Sequence, residues 1–322
     1  MSDQNFQTIA VFGCGTIGAS WAGLFAARGL NVRLYDVSAE ALASGQRKAF
    51  TALDGLLAAE EDAERLQDAR GRIRVAKSAQ ELLDGADFVQ ESVLERYGIK
   101  REAHEVIERH AAPEAVIASS SSGLLAHRMQ EGLAHPERFV VAHPFNPPHL
   151  IPLVELVPGP RTSEDVLMAA HGFYASLKKV PVIVRKEVPG HLANRLAAAV
   201  WREAIDLVAN GVASLEDVDK ALYAGPGLRW AFMGQHLIYH LNGGQGGYEQ
   251  FFEHFGPQLE SYMKDMASWT EVPESARREV LAQMRASVAG RDMAELEKWR
   301  DERLAKLVHV LYAEEELASS TK

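Results

Sequence analysis

Short apolar runs alternate with longer helical segments over the first part of the chain. The runs that have the length and composition of buried strands are Thr8–Phe12, Val32–Tyr35, Ile73–Ala76, Phe88–Gln90, Val116–Ala118, Phe139–Ala142, Leu153–Val157 and Val180–Val184. Because strand and helix patterns alternate, we expect an α/β fold with a doubly wound, mostly parallel sheet that helices cover on both faces. Ligands of such a sheet bind beyond the carboxyl ends of its strands.

The pattern changes after Pro189-Gly190. From Leu192 onward apolar residues recur at helical spacing and no clear strand run follows. Ser214 has the form of a helix N-cap, and Gly225-Pro226-Gly227 is expected to end the helix near Tyr223. The glycine-rich segment 242–247 is predicted as a loop, and 293–317 as a long amphipathic helix. We therefore expect two domains, 1–188 with the sheet and 189–322 all helical.

The first strand run leads directly into a glycine-rich turn and a helix of small residues. The turn is Gly13-Cys14-Gly15-Thr16-Ile17-Gly18. In a Rossmann-type fold the first glycine allows the tight turn, the second lets a pyrophosphate approach the backbone, and the third lets helix and strand pack closely. The N–H groups at the helix N-terminus then face the phosphates. These residues are candidates for cofactor binding.

Asp36 ends the second apolar run, where a Rossmann fold places the acceptor of a ribose 2′-hydroxyl. A carboxylate there would repel a 2′-phosphate, and Val37 and Ser38 supply no arginine to bind one. The sequence therefore favours NAD over NADP.

Composition limits the classes of function. The chain has 322 residues, 47% of them hydrophobic, which is ample for two cores. Cys14 is the single cysteine, so an intrachain disulfide or a cysteine zinc cluster is excluded. The net charge of -10 argues against a nucleic-acid partner. Since Met1–Asn5 has no targeting character and no apolar run has the length of a membrane span, we expect a soluble cytoplasmic protein.

A candidate for acid-base chemistry follows the Phe139–Ala142 run. His143 stands at its end, and Glu155 lies within the next apolar run. Oxidation of an alcohol requires removal of the hydroxyl proton, and a histidine held by a carboxylate suits that task. Because isolated histidines are more often structural, the position of His143 at a strand end carries this hypothesis. The mechanism needs no metal.

Two further segments supply polar candidates. The serine run Ser119–Ser122 follows the Val116–Ala118 strand, where a hydroxyl could bind a substrate oxygen. Alone it is also typical of a polar loop. Asn194 follows the interdomain turn, and its spacing leaves open whether it points into the cleft or is an ordinary helix residue.

Taken together, these motifs resemble the 3-hydroxyacyl-CoA dehydrogenase superfamily over essentially the whole chain. The resemblance implies that His143 is the general base, Glu155 its orienting carboxylate, and Ser122 and Asn194 ligands of the substrate oxygen. It also implies that Glu95, Lys100 and Asn146 contact the nicotinamide ribose and nearby groups. The family's Asn-Thr-Ser-Ser run is Ser120-Ser121-Ser122-Gly123 here, which leaves the role of Ser120 open.

The segment 225–247 departs from the acyl-CoA enzymes and resembles the branch that acts on free hydroxy acids. That branch contains the carnitine and gulonate dehydrogenases and a lens crystallin, and the segment is most similar to the carnitine enzymes. A trimethylammonium substrate needs aromatic faces, for which Trp230, Phe232 and Tyr239 are candidates, although each could equally be a packing residue. Arg195 and Arg229 are candidates for a substrate carboxylate, or for pairing with surface acids.

The sequence thus predicts NAD-dependent oxidation of a small 3-hydroxy acid, with carnitine favoured. Gulonate oxidation, short-chain 3-hydroxyacyl-CoA oxidation and a non-enzymatic, crystallin-like NAD(H)-binding role remain as alternatives. From the family resemblance we expect a homodimer that forms through the helical domain.

Overall fold

The computed structural model describes residues 6–59 and 63–319. The expectation for Met1–Asn5 concerns residues outside these ranges. The strands of the sheet are β1 (Thr8–Phe12), β2 (Asn31–Tyr35), β3 (Ile73–Val75), β4 (Phe88–Glu91), β5 (Val116–Ser119), β6 (Phe139–Pro144), β7 (Leu153–Pro158) and β8 (Val180–Ile183). Every predicted strand run is confirmed to within a few residues.

The eight strands form one sheet in the order β3-β2-β1-β4-β5-β6-β7-β8. Strands β1 to β6 pair in parallel, β7 pairs antiparallel with β6, and β8 pairs in parallel with β7. The expected doubly wound, mostly parallel sheet is confirmed. Its strand order reverses between β1 and β4, and that crevice is where such sheets bind ligands.

Helices cover both faces of the sheet. They are α1 (Thr16–Ala27), α2 (Ala39–Ala59), α3 (Leu66–Gly71), α4 (Ala79–Leu83), α5 (Tyr97–His110), α6 (Ala126–Met129) and α7 (Glu164–Ser176). Ser163 caps α7 by accepting the N–H of Val166 at 3.2 Å.

Aromatic residues dominate the core on one face of the sheet. The rings of Trp21 and Phe25 on α1 stack at 5.3 Å, and Phe88 of β4 lies 4.4 Å from Phe173 of α7. Burying one such side chain contributes about 1.5–3 kcal/mol. The other face is closed by a second cluster that includes Leu82 and Ile107. The sheet is therefore a rigid platform for the loops at its edge.

The remaining helices are α8 (Ala193–Ala209), α9 (Leu215–Ala224), α10 (Pro226–Trp230), α11 (Gln235–Asn242), α12 (Gly247–Asp265), α13 (Glu274–Ser287) and α14 (Met293–Ser319). Ser214 caps α9 by accepting the N–H of Asp217 at 3.1 Å. The predicted loop at 242–247 is partly helical, because Gly244–Gly246 form a 3-10 turn and α12 begins at Gly247.

The described chain divides into two compact units. The first comprises the residues up to Leu192 together with those from Glu297 onward, and the second is Ala193–Leu296. The structure differs from the expected domains 1–188 and 189–322 in that the greater part of α14 belongs with the sheet. The helical periodicity of α14 could not reveal this, because it fixes a helix and not its neighbours. No helix in the described ranges is long and apolar enough to cross a membrane.

Candidate active site

The glycine turn between β1 and α1 has the geometry that dinucleotide binding requires. Gly13 has φ of +98°, and a Cβ added to it would lie 2.7 Å from the backbone of Ser92. A Cβ at Gly18 would lie 1.9 Å from the carbonyl oxygen of Gly13. A Cβ at Gly15, in contrast, would meet no atom within 4 Å. The first and third glycines are thus needed by the fold, whereas Gly15 faces the open space in which a pyrophosphate fits.

The carboxylate of Asp36 is fixed by two backbone donors, one of which lies in this turn. Its Oδ2 accepts the N–H of Cys14 at 2.9 Å, and its Oδ1 accepts the N–H of Ser38 at 3.1 Å. Burial and the nearby charge of Asp36 raise the pKa of the Cys14 thiol to about 12. Cys14 is therefore a neutral turn residue, and Asp36 is the anionic group at the end of β2. With the open space at Gly15, this arrangement fits NAD, which Gly13–Gly18 and Asp36 would hold.

His143 and Glu155 face each other across β6 and β7. They are register partners in the antiparallel pair, and His143 Nδ1 lies 2.8 Å from Glu155 Oε2. His143 is 5% exposed and Glu155 is fully buried. A carboxylate accepts the Nδ1 proton and leaves Nε2 of the neutral ring as the acceptor. The arrangement can therefore take a proton from a hydroxyl.

A backbone donor orients the other oxygen of Glu155. Its Oε1 accepts the N–H of Leu192 at 2.7 Å. The carboxylate is thus held at one oxygen by the segment that follows β8 and at the other by the imidazole. Buried charges need such partners, because an unpaired carboxylate would lose its hydration without compensation.

The loop that carries the serine run is organised around Glu95. Oε1 of Glu95 accepts the hydroxyl of Ser121 at 2.6 Å and the backbone N–H groups of Ser122, Gly123 and Leu124 at 2.9, 2.9 and 3.2 Å. Although burial raises the pKa of Glu95, these hydrogen bonds and Lys100 hold it below its usual range. Glu95 therefore anchors the loop in which Ser122 is exposed at the carboxyl end of β5.

Lys100, which is expected to contact the cofactor, lies in a buried cluster of ion pairs. Its Nζ lies 2.8 and 3.1 Å from the two oxygens of Glu91, and 3.5 Å from Glu95 Oε2. The side chain is 2% exposed. An ammonium that is buried among these carboxylates has almost no surface to offer a ligand. Lys100 thus pairs with Glu95, the residue that anchors the serine loop.

The resemblance leaves the role of Ser120 open, and the structure places this residue in a series of hydrogen-bonded polar side chains. Its Oγ accepts from Gln90 Nε2 at 2.9 Å and lies 2.8 Å from the hydroxyl of Ser92. Gln90 in turn accepts the hydroxyl of Tyr174 at 2.6 Å. Ser120 thus ties the serine loop to the core. Asn146 is exposed in the loop after β6, on the same edge of the sheet.

The other candidates belong to the second unit. Asn194 and Arg195 open α8, and Arg229 is exposed on α10. Trp230 is 41% exposed and donates from Nε1 to Gln235 at 2.6 Å.

The remaining two aromatic candidates differ in their surroundings. Phe232 is 62% exposed, whereas one face of the Tyr239 ring is stacked on Phe251 at 4.2 Å. Within the described residues no ring contact joins Trp230, Phe232 and Tyr239 to one another. The packing interpretation therefore applies to Tyr239 more than to the other two.

Sequence reasoning missed His191, which the structure places beside His143. The two ring centroids are 5.3 Å apart, and His191 is 1% exposed. The available signal was its position between Gly190 and Leu192, at the interdomain turn. Within the described residues no cluster of three or more histidine, cysteine or acidic side chains could hold a metal ion.

Two family models match the chain. The NAD binding domain of 3-hydroxyacyl-CoA dehydrogenase matches residues 8–188, and the C-terminal domain of 3-hydroxyacyl-CoA dehydrogenase matches residues 190–283. Together they cover most of its length, and their boundary falls at the interdomain turn.

Curated relatives and solved structures agree with these matches. L-carnitine dehydrogenase of a Pseudomonas species is 41% identical over 317 residues, covering 95% of this chain and 94% of the relative. The enzyme of the same name from Nocardiopsis dassonvillei is 40% identical, covering 95% of this chain and 92% of its own. The solved structure of 5-formyl-3-hydroxy-2-methylpyridine 4-carboxylic acid 5-dehydrogenase superimposes with a TM-score of 0.79 at 29% identity, covering 96% of this chain and 98% of that one.

The cofactor and the class of the protein follow from the same findings. The NAD binding domain of the family spans the glycine turn and Asp36, whose geometry fits NAD. NAD is therefore the cofactor. The protein is an enzyme, and the alternative of a non-enzymatic, crystallin-like role is not supported. The chain belongs to the 3-hydroxyacyl-CoA dehydrogenase family and is an NAD-dependent oxidoreductase.

Proposed function

We propose that this enzyme oxidises L-carnitine at its C3 hydroxyl and forms 3-dehydrocarnitine. Support for the substrate comes from the relatives named L-carnitine dehydrogenase, which are 41% and 38% identical and align with 95% of the chain. Support for the chemistry comes from one observation, the buried His143–Glu155 pair with its 2.8 Å hydrogen bond.

In the proposed reaction Nε2 of His143 removes the proton of the C3 hydroxyl. The Nδ1 proton stays on the ring and is held by Glu155, whose charge stabilises the imidazolium that forms. NAD, which Gly13–Gly18 and Asp36 would hold, would supply the acceptor for the hydride from C3. The hydroxyl proton goes to His143 and the C–H electron pair leaves with the hydride, so a ketone, NADH and one proton result.

Ser122 and Asn194 are proposed to bind the substrate oxygen. The N–H of Ser122 is fixed on Glu95 at 2.9 Å, which sets the backbone from which its hydroxyl projects. A hydroxyl that donates to the oxygen is most useful when its own main chain does not move, because reorientation would cost free energy during the reaction. Asn146 is proposed to contact the nicotinamide side of the cofactor.

The charges of carnitine require two further kinds of contact. We propose that Arg195 or Arg229 binds the carboxylate, since a guanidinium matches its two oxygens. The trimethylammonium group donates no hydrogen bond and is attracted to aromatic faces. Among the candidates for this contact, Trp230 and Phe232 are the more exposed.

A parallel assay separates the possible substrates. NADH formation would be followed with L-carnitine, L-gulonate and a short-chain 3-hydroxyacyl-CoA, at equal enzyme concentration. We expect kcat/KM to be highest for L-carnitine. Faster oxidation of either other compound would contradict the proposed substrate, and NADH binding without turnover of any hydroxy acid would contradict the proposed reaction.

The aromatic candidates can be tested one at a time. We would compare the variants Trp230→Leu, Phe232→Leu and Tyr239→Leu. Each would be assayed with L-carnitine and with L-gulonate, which has no trimethylammonium group. Loss of a cation–π contact raises KM for carnitine alone, by about threefold to 30-fold. A variant that impairs both substrates equally marks a packing residue instead.

We also propose that the enzyme is a homodimer and cytoplasmic. Both proposals rest on the family resemblance, and light scattering of the purified protein tests the first.

A further inference from the structure

His191 adopts a backbone conformation that few residues other than glycine accept. Its φ is +51°, and the preceding Gly190 has a φ of +77°. The N–H of His191 donates to the carbonyl oxygen of Val188 at 3.1 Å. Unbranched side chains reach this left-handed region only at a cost in free energy, and such residues concentrate at functional sites. The proposed reaction gives this residue no part.

The imidazole of His191 contacts the serine loop. Nε2 lies 3.4 Å from the carbonyl oxygen of Ser121. Because a carbonyl oxygen only accepts, the proton of the neutral ring is on Nε2, and His191 donates. Nδ1 then carries a lone pair, and it is buried without a hydrogen-bond partner among the described residues.

The adjacent residue contacts the other half of the site. Leu192 donates its N–H to Glu155 Oε1 at 2.7 Å, and Glu155 holds His143. The ring of His191 lies 5.3 Å from that of His143 at an angle of 51°. Two consecutive residues therefore link the loop of Ser122 to the pair that would remove the proton.

His191 stays neutral in this position. Burial lowers its pKa, and the neighbouring His143 lowers it further, against the opposing effects of Glu155, the carbonyl of Ser121 and Glu187. A neutral donor can hold the Ser121 carbonyl without placing a second positive charge beside His143 as that ring accepts a proton.

We propose that His191 is a positioning residue that fixes the serine loop relative to the His143–Glu155 pair through its Nε2 donor. It thereby sets the separation of the two groups, Ser122 and His143, that would act on the same hydroxyl. The inference rests on the proposed function for the identity of those groups. The contacts of His191 with Ser121, Val188 and His143 lie within the first structural unit.

Three substitutions distinguish a hydrogen-bonding role of His191 from a packing role of its ring and from a role of its left-handed backbone. His191→Gln retains an N–H donor about as far from the backbone as Nε2. His191→Phe retains the ring and its burial but removes the donor. His191→Gly removes the side chain and relieves the backbone. Histidine, glutamine and phenylalanine are all unbranched at Cβ, so the first two variants add no β-branched side chain to the left-handed backbone. Comparison with His191→Gly shows how much of any effect comes from backbone strain.

The rank order of kcat identifies the role. If the donor matters, kcat of the phenylalanine and glycine variants falls between about 10-fold and 100-fold, while the glutamine variant stays within about threefold of the native enzyme. NADH affinity should be the same in all of them. Full activity of His191→Phe would show a packing role and overturn the proposal, as would full activity of His191→Gly, which would show a backbone role.

Amide hydrogen exchange of the enzyme alone gives a readout that needs no substrate. Without the donor we expect faster exchange of the Ser122, Gly123 and Leu124 amides, which Glu95 binds, in His191→Phe and His191→Gly but not in His191→Gln. His135→Phe, at an exposed histidine outside the site, is the matched control. If the native enzyme oxidises no 3-hydroxy acid, the proposed function fails while exchange still decides the position of the loop. Unchanged exchange in His191→Phe would overturn the proposal.

Discussion

His143 and Glu155 are register partners on antiparallel strands, and both ends of the resulting hydrogen bond are buried. The pairing depends on the reversal of direction at β7. A parallel strand next to β6 would require a long crossover, whereas here the intervening loop is short enough for twelve residues to separate the two side chains. The base and its carboxylate are thus fixed by main-chain register.

The first prediction concerns this pair. His143→Ala should abolish turnover while leaving NADH binding nearly unchanged, and Glu155→Gln should lower kcat by about 10²–10⁴-fold. The amide keeps the shape of the carboxylate but loses the charge that stabilises the imidazolium. It also cannot accept from both Leu192 and His143. Steady-state kinetics and NADH titration measure the two effects, with Glu164→Gln at the exposed start of α7 as a control. Retained turnover of His143→Ala would remove the residue from the mechanism.

The glycine turn allows a matched pair of substitutions. Gly18→Ala places a Cβ 1.9 Å from the Gly13 carbonyl oxygen and should lower the free energy of unfolding by about 1–3 kcal/mol. Gly15→Ala enters open space with an ordinary φ of -63°, so the fold should be unaffected. Its methyl group occupies the space for the pyrophosphate, and NADH affinity should fall at least about tenfold. Thermal unfolding and fluorescence titration separate the two effects, and unchanged NADH affinity of Gly15→Ala would contradict the placement of the cofactor.

Asp36 should determine the choice between NAD and NADP. Asp36→Asn removes the negative charge while an amide oxygen can still accept the N–H of Cys14. We expect the ratio of kcat/KM for NAD to that for NADP to fall by at least about tenfold, because repulsion of the 2′-phosphate is lost. Asp68→Asn, which alters an exposed carboxylate near Arg72, is the control. A ratio that does not change would show that Asp36 is too distant from the ribose to discriminate.

The stability of the fold should fall in mild acid because of His149. Its Nδ1 lies 2.8 Å from the Ser20 hydroxyl, and burial lowers its pKa from 6.5 to about 4, with Lys179 and Arg300 acting in the same direction and Asp301 against it. Between these values the unfolded chain binds more protons than the folded one. Stability should therefore decrease as pH falls from 6.5 to about 4, by on the order of 3 kcal/mol.

His149→Asn isolates this contribution. Its amide oxygen can accept from Ser20 in place of Nδ1, but the side chain does not titrate. Urea unfolding at a series of pH values should give a shallower decrease for the variant than for the native protein over this range. Identical slopes would show that other groups cause the acid sensitivity.

The strands and the glycine turn were predictable because their signals are local. Apolar run length identifies a strand, and the spacing of Gly13, Gly15 and Gly18 identifies the turn. The apolar run of β7 does not give its direction, since it is the same read either way, and the available signal was the short segment between the two runs, which is too short for a parallel crossover. The hydrogen bond between Glu95 and Ser122 joins residues 27 positions apart. The left-handed backbone of His191 could not be predicted from its residue type, because it is not a glycine. Such features depend on tertiary packing.

The buried pair of Lys100 and Glu91 provides the last prediction. Glu91 is fully buried, and although burial raises its pKa, Lys100 and His104 outweigh this and lower it to about 2. Lys100→Met leaves that charge without its main partner and should lower the free energy of unfolding by about 3–5 kcal/mol. The double variant Lys100→Met with Glu91→Leu removes both charges and should lose much less. KM for NAD in the folded single variant should change little, because the Lys100 side chain is only 2% exposed. If Lys100→Met instead keeps its stability and raises KM for NAD, Lys100 contacts the cofactor, as the family resemblance implies.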